Sequence, residues 1–194
     1  MSASGPAPVA AVFGSARLDP SDPEYQQGVR LGRLLAERGW TVQTGGYDGM
    51  MGAVSRGAHA GGGHVVGVTL RSFRGNKPPN RWVLEEREAE DLFGRVRSLV
   101  EADAWIGLAG GIGTLAEVAL AWNLHQNWPS EGRPLVLVGP RWAELLPAIR
   151  RLLVVDDRDM EVVRLAADVD EAVAIVEEGA VGPGSSFREG GATP

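Results

Sequence analysis

AWIGLAGGIGTLAEVALAW, residues 104–122, decides the fold of this chain. An apolar run reaches Leu108, a glycine-rich turn follows, and apolar residues then recur at helical spacing, which predicts a buried strand, a tight turn and a helix. The start of a helix offers unpaired N–H groups and the positive end of a dipole, and glycine leaves them uncovered. The turn is therefore a candidate phosphate site. A capping box of Thr114 and Glu117 explains the same residues without a ligand, and that alternative stays open.

The alternation of strand, turn and helix continues on both sides of this stretch. Periodicity and turn residues predict strands at 9–13, 40–44, 64–70, 82–84, 104–108, 134–138 and 162–165, and helices at 25–38, 51–60, 85–100, 115–122, 142–153 and 170–178. This order is typical of an α/β fold, a single doubly wound (Rossmann-like) domain with a mainly parallel sheet flanked by helices. We expect it to span residues 8–178, between a flexible leader at 1–7 and a disordered tail at 179–194.

Three of the predicted strands run into turns that lack bulky side chains. Because the carboxyl ends of parallel strands meet at one edge of a sheet, the turns at Gly14, Gly45 and Gly110 can wall one ligand crevice. The candidate substrate-binding residues at the first two turns are Gly14, Ser15, Gly45 and Gly46.

Composition excludes several classes of function. The net charge of −6 and pI near 5.1 argue against a nucleic-acid surface, which needs a basic face. The chain has no cysteine and only three scattered histidines, so no metal site is predicted. No apolar run approaches the about 20 residues that span a membrane, and the first residues lack the order of a signal peptide. We therefore expect a cytoplasmic protein with neither a membrane nor a nucleic acid as partner.

Cofactor-dependent chemistry fits the sequence poorly. The run Gly111-x-Gly113-x-x-Ala116 matches the loose dinucleotide fingerprint, but the next strand ends in Gly139-Pro140 without the acidic residue that binds ribose. No Gly-Lys-Ser/Thr triplet forms a Walker A loop. Lys77, the only lysine, lies beside two prolines, which disfavours a pyridoxal phosphate enzyme such as a lysine decarboxylase. No cofactor is predicted.

Glu117 is the candidate catalytic carboxylate. It lies about one helical turn from a phosphate bound at the glycine turn, where the ribose of a 5′-nucleotide would also lie. A carboxylate there can stabilise an oxocarbenium-like transition state and activate water. Arg87 is the candidate cation that balances these charges. It can equally be an exposed helix residue that pairs with its acidic neighbours.

The sequence resembles the LOG family, the cytokinin-activating nucleoside 5′-monophosphate phosphoribohydrolases. The matching motifs are Val12-Phe13-Gly14-Ser15, Thr44-Gly-Gly-Tyr-Asp-Gly-Met-Met-Gly52 with Ala58 and Gly62-Gly63, Arg87, and Gly110-Gly-Ile-Gly-Thr114-Leu-Ala-Glu117, and the resemblance covers roughly residues 8 to 178. It implies that Gly110, Gly111, Gly113 and Thr114 bind the phosphate and that Glu117 and Arg87 are catalytic. It also implies hydrolysis of a nucleoside monophosphate such as AMP to free base and ribose 5-phosphate.

The chain departs from the family pattern at several positions. Ala109 replaces a proline, Tyr47-Asp48 a glycine pair, and Leu84-Glu85 a Met-His pair, so the base preference is the property most affected. A non-catalytic nucleotide-sensing protein would keep the glycines and Thr114 but would not need Arg87 and Glu117. The family implies a homodimer, and the helix after the glycine turn is apolar over more of its circumference than one sheet contact requires.

Overall fold

A single sheet of parallel strands organises the protein in a computed structural model that describes residues 6–71, 77–127 and 132–180. The strands are β1 (Val9–Phe13), β2 (Thr41–Thr44), β3 (Val65–Leu70), β4 (Glu85–Ala89), β5 (Ala104–Gly107), β6 (Leu135–Val138) and β7 (Val163–Ala166). Their spatial order among the described residues is β4-β3-β2-β1-β5-β6-β7. The order reverses between β1 and β5, which is the topological switch point of a doubly wound fold. The predicted α/β architecture is confirmed.

The helices cover both faces of the sheet. They are α1 (Pro23–Glu37), α2 (Met50–Ala60), α3 (Leu92–Val100), α4 (Ile112–Asn127), α5 (Pro140–Leu152), α6 (Asp157–Glu161) and α7 (Val169–Ala180). One buried cluster joins the sheet to α1, α2 and α7, and a second joins it to α3, α4 and α5. The central strands β1, β5 and β6 are almost wholly buried because both of their faces are covered, which explains their continuous apolar runs.

Glycines let α1 and α2 pack closely on their face of the sheet. A Cβ atom on Gly32 of α1 would lie 2.9 Å from the carbonyl carbon of Val54, and one on Gly57 of α2 would lie 2.7 Å from that of Val29. Real Cβ atoms do not approach backbone so closely, so a larger residue at either position would push the helices apart. This packing fixes the start of α2, which borders the cavity described below.

The structure corrects the prediction for the segment before the glycine turn. The expected helix from Glu85 is wrong: Glu85–Ala89 forms the edge strand β4, paired in parallel with β3, and α3 begins only at Leu92. The charged residues favour a helix locally, but an exposed edge strand also tolerates them, and here they complete the sheet. Asp91 caps α3 by accepting a hydrogen bond from the N–H of Gly94 at 2.7 Å.

Smaller differences lie near the ends of the chain and in one connection. The predicted strand at 82–84 is part of the connection into β4, and the short helix α6, which begins with a capping box of Asp156 and Asp159, was not predicted. Helix α7 continues through Gly179 and Ala180, whereas the rest of the predicted tail and leader residues 1–5 lie outside the described residues. No described helix is long and apolar enough to cross a membrane.

Candidate active site

A cavity of about 650 Å³ opens at the carboxyl edge of the sheet, where β1, β2 and β5 end. Its position at the switch point is the one expected for a ligand site in this fold. The predicted site residues that line it are Gly14, Ser15, Gly45, Gly110, Gly111, Gly113, Thr114 and Glu117. The topology therefore brings the three glycine turns together as predicted, while Gly46 and Arg87 do not line the cavity. The binding and catalytic roles of these residues remain predictions.

The turn between β5 and α4 leaves its backbone open to the cavity. A Cβ atom on Gly111 or Gly113 would extend into open space, so no other side chain packs against this turn at these two positions. Gly110 is different, because a Cβ atom on it would lie 2.5 Å from Cγ2 of the buried Thr114. Helix α4 begins at Ile112, and the first N–H groups of a helix have no partner within it. These features together suit a bound anion.

The segment after β1 is held between two other elements. The N–H of Ser15 donates to the carbonyl of Ala109 at 3.0 Å, and the carbonyl of Ser15 accepts from the N–H of Met50 at 2.7 Å. A Cβ atom on Gly14 would lie 2.7 Å from Cβ of Met50. The first glycine turn is thereby fixed directly beside the turn at α4.

The turn after β2 combines a structural glycine with an aromatic wall. Gly46 has φ 79°, and its carbonyl accepts from the backbone N–H of Asn80 at 2.7 Å and from Nδ2 of Asn80 at 3.1 Å. Gly46 thus shapes the turn. Tyr47 lines the cavity, and its hydroxyl accepts from the N–H of Leu70 at 2.9 Å and lies 3.3 Å from the Leu70 carbonyl. The sequence gives no sign of this role of Asn80, because the acceptors of its Nδ2 lie more than 20 residues away.

Glu117 forms an ion pair with Arg95 inside the cavity. Nη1 of Arg95 lies 3.3 Å from Oε1 of Glu117, and the two side chains are only 12% and 13% exposed. Arg95 is held from behind, because Nε donates to the carbonyl of Val68 at 2.9 Å and Nη2 to that of Gly45 at 3.3 Å. The guanidinium is therefore a fixed positive charge between β3 and the turn after β2.

Burial and the ion pair act in opposite directions on the acidity of Glu117. Burial raises the pKa of the Glu117 carboxyl above its ordinary value, while the charge of Arg95 and its hydrogen bond lower it. Removal from water is the larger effect, so the pKa is raised overall. A carboxyl with a raised pKa in a cleft is typical of residues that take part in proton transfer or in stabilising charge.

Arg87 does not line the cavity that holds Glu117, and its catalytic role stays a prediction. It lies on β4, opposite Val68 of β3, and its side chain is about half exposed. Its Nε donates to Oε1 of Glu85 at 2.7 Å, and its Nη1 lies 3.4 Å from Oε1 of Gln43. Arg87 thus pairs with an acidic neighbour, as in the alternative given in the sequence analysis, but it does so on a strand and not on a helix. The arginine that forms an ion pair with Glu117 in this structure is Arg95.

The spacing of Arg95 in the sequence indicates that its side chain faces the interior. It lies three residues after Leu92 and four before Leu99, so a helix that begins after Asp91 places it on the same face as Leu99, which is buried. An arginine on the inner face of a helix needs a partner, and Glu117 supplies it. Among the described residues, no group of three His, Asp or Glu side chains could hold a metal ion.

Comparisons with known proteins match this chain at the level of family and fold. Residues 7–128 match the model of the SLOG cluster4 family. A probable cytokinin riboside 5′-monophosphate phosphoribohydrolase of Oryza sativa subsp. japonica is 42% identical over 92 residues, which cover 46% of this chain and 37% of the rice protein. An uncharacterized protein of Archaeoglobus fulgidus is 32% identical over 133 residues, 67% of this chain and 83% of the archaeal one.

Among solved structures, the molybdenum cofactor carrier protein of Chlamydomonas reinhardtii superimposes with a TM-score of 0.72 at 26% identity. That match covers 91% of this chain and 99% of the carrier. The match to the rice protein thus covers well under half of its length, whereas the carrier is matched almost end to end.

Proposed function

This chain belongs to the SLOG cluster4 family, and from that premise we propose that it hydrolyses the N-glycosidic bond of a nucleoside 5′-monophosphate. The products are the free base and ribose 5-phosphate. The observation that carries the proposal is the buried pair of Arg95 and Glu117 beside the open glycine turn of α4, in one cavity. The names of curated relatives such as the rice protein support the same reaction.

The order of the strands arranges the three parts of such a substrate. Along the carboxyl edge, Leu70 ends β3, Tyr47 follows β2, and the turn at Gly110 follows β5. Three strand spacings separate β3 from β5, about 14 Å, which is enough for a base, a ribose and a phosphate in a row. With the phosphate at the start of α4, the ribose lies near Glu117 and the base lies toward Tyr47.

In this arrangement Glu117 acts on the anomeric carbon of the ribose. As the bond from C1′ to the base nitrogen breaks, positive charge develops on the ribose, and the ionised carboxylate stabilises it. A water molecule adds its hydroxyl to C1′, and its proton ends on the departing base. Arg95 is a positioning residue, because its charge favours the ionised form of Glu117 and its bonds to the Val68 and Gly45 carbonyls fix the orientation of the pair.

We further propose that the protein is a homodimer. Several large apolar side chains stand exposed on α3 and on the start of α4, next to the cavity: Leu92 is 57% exposed, and Phe93 and Ile112 are each 83% exposed. A patch of this kind on a soluble domain marks an interaction surface. A second copy would cover it.

A second candidate function is binding without turnover. Its support is the structural match to the molybdenum cofactor carrier protein, which extends over almost the whole of both chains. A carrier would need the cavity and the glycine turn, but its cargo would leave chemically unchanged. The two candidates therefore differ in whether the ligand is cleaved.

The test is a comparison of base release by the wild-type protein and two matched variants. Glu117→Gln keeps the size of the side chain and removes its charge, so turnover of AMP should fall by about 10²-fold or more while the protein still folds. Glu144→Gln makes the same change on the exposed face of α5, away from the cavity, and should leave turnover unchanged. Equal turnover in Glu117→Gln and the wild type contradicts the assignment.

A further inference from the structure

The charges that line the cavity do not balance once a phosphate is bound. The charged side chains among the described lining residues are Arg17, Arg95 and Glu117. Arg95 and Glu117 neutralise each other in their ion pair. A phosphate monoester carries about −1.5 to −2 charges at pH 7, and a helix start supplies only about +0.5. One more cation is needed at the phosphate end.

Arg17 is the charged lining residue that remains once Arg95 and Glu117 are paired. Among the residues that the structure describes, no carboxylate forms an ion pair with it, whereas Arg30, Arg38 and Arg141 each have one. An arginine that lines a cavity without a carboxylate partner is available to an anionic ligand.

The backbone that carries Arg17 is fixed next to the phosphate turn. The N–H of Arg17 donates to Oγ of Ser15 at 3.1 Å, and the N–H of Ser15 donates to the carbonyl of Ala109 at 3.0 Å, immediately before Gly110. On the other side, a Cβ atom on Gly49 would lie 2.6 Å from the carbonyl carbon of Ala16, so the segment is packed against the turn before α2. The side chain of Arg17 therefore starts from a defined point beside the start of α4.

We propose that Arg17 is a substrate-binding residue that pairs with the phosphate of the nucleotide and thereby selects phosphorylated over unphosphorylated nucleosides. The proposal rests on the proposed function for the identity of the ligand, but it concerns binding and not cleavage. The proposal gives the three arginines discussed so far different roles. Arg17 holds the phosphate, Arg95 positions Glu117, and Arg87 lies outside the cavity.

The test compares AMP with adenosine in three variants. Arg17→Ala should raise KM for AMP about 10-fold, as expected for the loss of a charged hydrogen bond at a partly exposed site, with kcat nearly unchanged. Its KM for adenosine should stay at the wild-type value, because adenosine has no phosphate. Arg17→Lys should lose less than Arg17→Ala, since it keeps the charge but not the planar fork. Arg30→Ala is the matched control, because Arg30 is an exposed arginine of α1 that pairs with Asp170 and does not line the cavity; it should behave as the wild type.

Binding is measured separately, so that the result does not depend on catalysis. Calorimetric titration of AMP into Glu117→Gln, with and without Arg17→Ala, should show the same loss of affinity of about 10-fold. If the wild type binds AMP without cleaving it, the proposed hydrolysis fails, yet an affinity loss in Arg17→Ala still supports the role of Arg17. Unchanged AMP affinity in Arg17→Ala, an equal loss for AMP and adenosine, or no AMP binding by the wild type each overturns it.

Discussion

Gly45→Ala should disable the cavity while leaving the fold intact. Gly45 directly follows β2, its carbonyl accepts from Arg95, and the space for its Cβ is already filled. A Cβ atom there would overlap Nη2 of Arg95 and lie 2.6 Å from Sδ of Met51. Restoring ordinary contact distances requires the guanidinium to retreat by on the order of 1 Å.

Such a retreat is enough to break the arrangement around Glu117. The hydrogen bonds of Arg95 to Glu117 and to the Gly45 carbonyl both measure 3.3 Å, so neither has slack. A misplacement of about 1 Å in catalytic groups can cost about 10²-fold in rate, and we expect a loss of that size in kcat. The free energy of unfolding should fall by only about 1–2 kcal/mol, because the displaced atoms are the far end of a flexible side chain.

The assay is release of base from AMP, with thermal unfolding as the check on folding. Gly94→Ala is the matched control: Gly94 lies in α3 directly before Arg95, and a Cβ atom there has only ordinary contacts, the closest at 3.5 Å to Oδ1 of Asp91. That variant should keep full turnover and should be no less stable, since alanine favours a helix over glycine. If Gly45→Ala folds and turns over AMP at the wild-type rate, the reasoning about Arg95 is refuted.

Three further predictions follow from the same geometry. Arg95→Gln removes the charge and hydrogen bond that lower the pKa of Glu117, so that pKa should rise further. Because the proposed active form is the carboxylate, the acid limb of the pH–rate profile should then move to higher pH. An acid limb that does not move would contradict the role of the Arg95–Glu117 pair. Arg87→Ala should keep wild-type turnover, and a large loss in kcat would restore Arg87 to the site. Phe93→Glu should convert the proposed dimer into a monomer in light scattering, and an unchanged mass would exclude this surface as the interface.

The elements that the sequence predicts well are those with both faces buried or with glycine at a turn. Val9–Phe13 and Leu135–Val138 are continuous apolar runs because helices cover both sides of the central sheet, so their pattern has one interpretation. The glycine turns are predicted equally well. Parallel topology brings Gly14, Gly45 and Gly110 to one cavity. Local signals and global fold agree at these places.

The edge of the sheet was misjudged because local preference and tertiary structure disagree there. Residues Glu85–Ala89 are helix formers by composition, and only the unfilled edge of β3 makes them a strand. The sequence places Arg95 on the helix face of Leu99, but no spacing points to its partners, which are Glu117 and the carbonyls of Val68 and Gly45. The side-chain types in a sequence do not indicate which backbone carbonyls will accept a hydrogen bond in the fold.

The central claim is that this cavity cleaves nucleoside monophosphates and does not merely bind them. The most direct test incubates AMP in large molar excess with the wild-type protein and follows adenine and ribose 5-phosphate by chromatography. We predict that both products appear in equal amounts and far beyond one equivalent of protein, and that Glu117→Gln releases them about 10²-fold more slowly. AMP that binds in calorimetry yet stays intact over the same period would contradict the account and favour a carrier.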